Sequence, residues 1–318
     1  MDLLDKVLQS LEVIDSAIAT FEFAAPWGFK VEFVLKDFVY LFMPVAGRCH
    51  LFVQGVDPVL LEVGDVGIVV GRDHRFVSDP HAAARPFLQA WRDQRLPDLG
   101  PRIERAAPLR FTWPRGMWHE ACTDRMITAA LLVQDVVQNP VLEALPPIIK
   151  LSGQALSACP WPHVLAGFVN SEQDPRPGYN ALALLMARLV LLALIREHVV
   201  QEGAVRASWM RGMGDRAIGH ALVLMHDRFS EPWSLASLAK ASGLSRTVFA
   251  QRFAALVGQS PMAYLTSVRL HAAAQELRLG ASVADAADAA GYRSEAAFRM
   301  AFVKQFRATP LRYAKSTR

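Results

Sequence analysis

Five side chains on one short segment have the chemistry to read a nucleic-acid duplex: Ser245 opens the segment, and Arg246, Thr247, Gln251 and Arg252 follow. A glutamine amide can pair with the adenine edge, and a guanidinium can fork to guanine or to phosphate. A second segment carries Arg293, Ser294, Glu295 and Arg299, with Arg293 and Lys304 placed for phosphates. These groups can act only if a helix holds them on its outer arc, so the elements that would position them decide the reading.

Those elements form a duplicated module. Gly243, Leu244, Phe249, Phe253 and Pro261 answer Gly291, Tyr292, Phe298, Phe302 and Pro310; the glycines lie 48 apart, the phenylalanines and prolines 49 apart. Each copy is an alanine-rich short helix (Leu235 to Ser242; Val283 to Ala290), a glycine, a polar cap and a helix with Phe at i and i+4. A tight turn between two helices of this kind is the sequence form of a helix-turn-helix, whose second helix enters a major groove. Val248, Phe249 and Phe253 are expected to face the core of the first copy, and Phe298 and Phe302 that of the second. Ala250 in the first copy, and Ala296 and Met300 in the second, are expected on the outer arcs. Ser260-Pro261 predicts an N-cap with Pro in the first turn, opening a connecting helix that stops at Gly280. Ser282 with Asp285 resembles a capping box, and Thr309-Pro310 repeats the Ser-Pro device.

Charge separates the two halves. Residues 1 to 215 carry 20 Lys/Arg against 24 Asp/Glu, whereas residues 216 to 318 carry 14 against 6, a net of +8. The positive charge therefore travels with the duplicated module, as phosphate neutralisation requires.

The stretch from Leu244 to Phe253, then Gly258 to Leu265, Arg269-Leu270 and Gly291 to Phe298 closely resembles the AraC/XylS family of transcription regulators. The resemblance covers about the last 100 residues. It implies seven helices with two helix-turn-helix units joined by a long helix, double-stranded DNA as partner, activation as the sense of regulation, and RNA polymerase as a further partner. Two departures stand out: Ala286 where the family has a bulky aliphatic, and Arg307 where it has glycine. The first predicts lost packing volume in the second unit.

The amino-terminal half reads differently. From Phe21 to about Asp79 short β-prone runs alternate with turn signals, which predicts a small sandwich or barrel. Residues 80 to 118 read as a long surface loop, Ala121 to Val137 as either strand or helix, and the stretch after Asn139-Pro140 as helical. The helix of residues 180 to 200 is apolar on nearly every face, which predicts burial or pairing with a second copy. Pro26-Trp27-Gly28, Gly47 to Leu51, Leu61 to Asp65, Gly71 to His74 and Leu145-Pro-Pro are similar to the cupin-type sensor found in one branch of the family. The fold class is accordingly α+β: a cupin-like β-barrel followed by helices, then an all-α domain with two helix-turn-helix units. The domains are 1–204 for sensing or oligomerisation, 205–215 as linker, with Gly203, Gly212 and Gly214 marking it, and 216–318 for DNA binding.

Enzyme chemistry is disfavoured. A cupin metal centre needs a His-x-His pair with an acid and a later His; there is no such pair, and Phe42 stands about where a ligand His is expected. That leaves His74 as the residue placed to meet a small-molecule effector. His119, Glu120 and Cys122 lack a ligand spacing, and the glycines at 64, 67 and 71 precede no helix, so they read as turn residues. No cofactor or metal is expected. Three cysteines without a CxxC pair and no basic-then-apolar leader favour a cytoplasmic setting, and Ala181 to Ile195, interrupted by Arg188, is too short to span a bilayer. The readings to be weighed are a regulator that senses an effector, a DNA-binding protein whose amino-terminal half serves only oligomerisation, including as a homodimer, and a metal-dependent cupin enzyme.

Overall fold

The computed structural model describes residues 4, 8, 11, 13–32, 38–96, 108–114, 122–133, 142, 145–157, 159–171, 176–202, 212, 215–292, 294–306 and 308–316. The chain divides into two compact units, one of Ser10–Gln201 and the other of Met1–Gln9 with Glu202–Arg318. Arg293, His119, Glu120, Arg307, Asn139-Pro140, Gly203 and Gly214, singled out above, lie outside the described residues.

The amino-terminal unit runs β1 (Val13–Phe23), β2 (Gly28–Val31), β3 (Phe38–Ala46), β4 (Cys49–Val53), β5 (Val59–Leu61), β6 (Val66–Val70), β7 (His74–Val77), β8 (Arg85–Pro86), α1 (Phe87–Asp93), β9 (Leu109–Trp113), β10 (Asp124–Val133), β11 (Ile148–Leu151), α2 (Trp161–Ser171) and α3 (Tyr179–Glu202). The strands form a six-stranded sheet, β11-β6-β3-β10-β1-β9, and a five-stranded sheet, β5-β4-β7-β2-β8. One core of Phe21, Phe23, Phe29, Leu51, Phe76 and Phe111 draws on both sheets. The sheets approach closely at Gly67, where a Cβ would lie 2.5 Å from the Leu61 side chain and 2.7 Å from that of Leu51. Gly67 is thus a strand residue chosen for space, not a turn glycine.

Three expectations for this unit are corrected. Residues 80–118 hold a helix and two strands, β8 and β9: Phe87, Ala90 and Trp91 fall at i, i+3 and i+4, and bury themselves beside Phe111, whose ring centroid is 5.4 Å from that of Phe87. Ile148–Leu151 is a strand, because β6 offers an edge and Ile149 pairs opposite Ile68. Helix α3 is not buried all round, since Leu182, Leu185, Leu189 and Val200 are exposed. The ambiguous run resolves as β10, which pairs antiparallel with both β1 and β3.

The carboxy-terminal unit contains α4 (Arg216–Asp227), α5 (Leu235–Ala241), α6 (Arg246–Val257), α7 (Pro261–Arg278), α8 (Val283–Ala289), α9 (Glu295–Phe306) and α10 (Pro310–Ser316). Ser234, Ser245, Ser260 and Ser282 each accept a backbone N–H at the start of a helix, and Pro261 occupies the first turn of α7. Ser282 departs from a reciprocal box: its hydroxyl donates to the Asp285 carboxylate at 2.6 Å while accepting the Asp285 N–H at 3.1 Å. Leu270, Ala274, Leu277, Phe298, Phe302 and Tyr313 form the core of the second half, and Ala286 is fully enclosed within it. No helix among the described residues is long and apolar enough to cross a membrane.

Candidate nucleic-acid interface and effector cavity

In each module a short helix, a turn and a longer helix follow in order. Gly243 at φ 69° and Gly291 at φ 75° adopt the left-handed conformation in the turn between the two helices, which glycine takes without steric cost. Along α6, Phe249 and Phe253 are fully buried, while Ser245, Arg246, Thr247, Gln251 and Arg252 are exposed. Val248 was expected in the core and instead lies on the exposed side, 47 % accessible, because the two phenylalanines already fill the inner arc. Along α9, Phe298 and Phe302 are buried, whereas Ser294, Glu295, Ala296, Ala297, Arg299, Met300 and Lys304 are exposed.

Two of the exposed arginines are already engaged. Arg252 donates through Nε to Asp215 at 2.7 Å and forms an ion pair with the same carboxylate. Asp215 also caps α4, accepting from Ala217 and Ile218 N–H at 3.0 and 3.1 Å. Burial by itself raises the Asp215 carboxyl, but those N–H groups and Arg252 hold it below the ordinary carboxylate value. In the second module Arg299 donates through Nε to Glu295 at 2.8 Å, one turn back on the same helix. Just ahead of Asp215, Gly212 is buried where a Cβ would meet Val257, Leu222 and Ile218, so this glycine belongs to the helical packing.

The relation between the modules is fixed by a junction at residues 229–231. Arg269, midway along α7, donates to the Phe229 carbonyl at 2.7 Å and to the Glu231 carbonyl at 2.5 Å. Gly291 packs on the same segment so tightly that a Cβ would lie 2.5 Å from the Ser230 carbonyl oxygen. The first module, the connecting helix and the turn of the second are thereby joined at one place.

In the amino-terminal unit, His74 lies on β7 against the rings of Tyr40 and Phe42, at centroid distances of 4.7 and 5.6 Å. Its Nδ1 lies 2.8 Å from the Arg72 carbonyl, which can only accept, so Nδ1 carries the proton and Nε2 is left as an acceptor. That Nε2 is buried without a hydrogen-bond partner. Burial, outweighing the opposing pull of the Arg72 carbonyl and Asp73, holds the imidazole pKa down to about 4. His74 borders an apolar cavity of about 30 Å³, lined also by Phe21, Phe42, Phe76, Phe87 and Trp91. That is room for about one or two waters. On its other side His74 borders an open polar groove with Lys30, Glu32, Gln54, Asp73 and Arg75.

Among the described residues no three His, Cys, Asp or Glu side chains gather where they could hold a metal. Cys49 is buried, and burial pushes its thiol up, away from the thiolate; burial and Glu22 push Cys122 in the same direction.

Comparison with known proteins agrees with both units. The family model described as a cupin (Cupin_6) matches residues 2–200, and one described as a helix-turn-helix domain (HTH_18) matches residues 238–316. The chain belongs to the cupin-bearing AraC-type family. A "Putative AraC-like transcription regulator" of Streptomyces lividans is 33 % identical over 180 residues, 56 % of this chain and 59 % of that protein. The "HTH-type transcriptional regulator AlkR" of Acinetobacter baylyi is 25 % identical over 320 residues, covering 100 % of both. The "RCS-specific HTH-type transcriptional activator RclR" of Escherichia coli is 31 % identical over 160 residues, 50 % of this chain and 56 % of that protein. The chain thus spans between about half and all of the length of these relatives.

Within this AraC-type chain, the residues singled out from sequence fall into distinct places. Arg246, Thr247 and Gln251 share the exposed arc of α6, with Ser245 at its head; Ser294, Glu295, Arg299 and Lys304 are exposed at the head of α9 and along it. His74 stands apart in the other unit. Sequence reasoning missed Asp215, although an acid just before a helical run is an N-cap signal, and it left Arg269 without a role.

Proposed function

We propose that the chain is a sequence-specific regulator of transcription that reads two successive major-groove segments of double-stranded DNA and responds to a small molecule or chemical stress through its amino-terminal unit. The observation that carries this reading is the pair of exposed, serine-capped helix heads in the unit with a net charge of +8. Ser245, Arg246, Thr247, Gln251 and Arg252 serve the first half-site, and Arg293, Ser294, Glu295, Arg299 and Lys304 the second. Base contacts from Gln251 select, while Arg252 and Lys304 position the protein on phosphates. The test is binding of the full chain to promoter fragments across a salt series: a salt-dependent complex that prefers one sequence is expected, and a sequence-indifferent or absent complex overturns the reading.

The effector site is the cavity beside His74. Its Nε2 requires a donor, so the matching ligand is an uncharged, mainly apolar molecule carrying a hydroxyl or N–H, and seating it requires the lining rings to move apart. The division at 1–204, 205–215 and 216–318, activation assisted by RNA polymerase and a cytoplasmic setting complete the proposal; the activator among the relatives supports the sense of regulation. A second reading, in which the amino-terminal unit also oligomerises, is favoured by the exposed Leu182, Leu185 and Leu189, whose spacing of three and four forms a coiled-coil seam for a second copy.

A further inference from the structure

The two helix heads are duplicated in position but not in chemistry. At the 49-residue offset Thr247 answers to Ala296, Val248 to Ala297, Ala250 to Arg299 and Gln251 to Met300. The first helix therefore presents a hydroxyl and an amide where the second presents two methyl groups and a thioether. Met300 is 77 % exposed, one turn beyond the exposed Ala296 and Ala297, while Phe298 and Phe302 are wholly buried on the opposite face. Core packing thus does not account for Met300. Arg299, which could otherwise fork to guanine, is held on its own helix by Glu295. Lys304 stands exposed farther along α9, suited to a phosphate.

An apolar arc on a basic unit fits one feature of a major groove: the 5-methyl of thymine, the group there that takes apolar contact instead of a hydrogen bond. We infer that the second helix selects its half-site by contact of Met300, flanked by Ala296 and Ala297, with thymine methyl groups, whereas the first selects by hydrogen bonds through Gln251. This inference rests on the DNA-binding reading above and adds the chemistry of the second half-site.

The test begins with a preferred duplex selected by the full chain from a randomised pool. Each thymine is then replaced singly by deoxyuridine, which removes the methyl and leaves the pairing edge intact. Loss of a contacted methyl is expected to weaken binding about three- to fivefold, the equivalent of one buried methyl group. The same replacement should have no further effect on Met300→Ala, and Met300→Gln should shift the preference in that half-site toward adenine. Methyl removal without effect in the second half-site, or with equal effect in Met300→Ala, overturns the inference while leaving the DNA-binding reading intact. Failure of the full chain to select any sequence overturns that reading instead.

Discussion

Arg252 on α6 and Asp215 at the head of α4 are bound to each other, with Nε 2.7 Å from the carboxylate. The arginine expected to meet phosphate is thus satisfied by an acid 37 residues earlier, and any phosphate must compete with that acid. Asp215→Asn keeps a good helix cap but removes the competing charge. Affinity for all DNA sequences should rise together, and the salt dependence should steepen by about one counterion, both read by binding at several salt concentrations. Arg252→Ala should weaken all sequences together and cancel the effect of Asp215→Asn.

Gly243 and Gly291 share a left-handed backbone but not an environment. Gly243→Ala meets open space and should cost only the conformational penalty, about 1–2 kcal/mol. Gly291→Ala adds a clash with the Ser230 carbonyl and should cost distinctly more, with loss of the second module's contribution to binding. Chemical denaturation of the two variants side by side measures the difference; equal costs would show that the junction yields.

His74 makes stability pH-dependent in a defined window. Its folded pKa lies near 4, below the ordinary 6.5, so the unfolded chain binds the proton first. The contribution is fully present above about pH 6.5 and is lost as the pH falls toward 4. Thermal melts of His74→Leu should lack that part of the decline, and the variant should no longer respond to an effector recognised through Nε2.

Asp65 is expected to hold the β5–β6 turn to β11. It accepts N–H groups from Glu62 and Gly153, each at 3.0 Å, and pairs with Lys150 at 2.8 Å. Burial alone would raise its carboxyl, yet these partners keep it below the ordinary value of 3.8. Its contribution is therefore present above that value and lost as the pH drops through the lowered one. Asp65→Ala, leaving two N–H groups without their acceptor, should destabilise the amino-terminal unit by about 1–3 kcal/mol in denaturant titration.

The exposed leucines of α3 are expected to join two copies. Leu185→Lys should shift the full chain from dimer to monomer in sedimentation with little change in melting of the unit itself. An unchanged mass would exclude this face as the contact.

How far the sequence disclosed these features depends on the range over which each is encoded. Caps, turn glycines and Phe pairs are local, so Ser245, Ser260, Gly291 and Phe298 could be placed from neighbouring residues alone. The head of α6 was legible for the same reason, apart from Val248, where a helical arc one residue too wide was assigned to the core. Helix α1 escaped notice because its apolar triplet of Phe87, Ala90 and Trp91 is short and set among prolines and arginines. The strand Ile148–Leu151 depends on an edge supplied by β6, some 80 residues earlier. The pairings of Asp215 with Arg252 and of Arg269 with residues 229 and 231 join distant positions, and no spacing rule announces them.

The junction at residues 229–231 has a consequence for the operator. Arg269 grips both ends of that segment and Gly291 is seated on its middle, which ties the span between the two modules to one short stretch of backbone. On the proposed two-segment reading, the unit's targets are expected to keep one distance and one helical phase between their halves, so a single base pair inserted between them should weaken binding even when every contacted base is preserved.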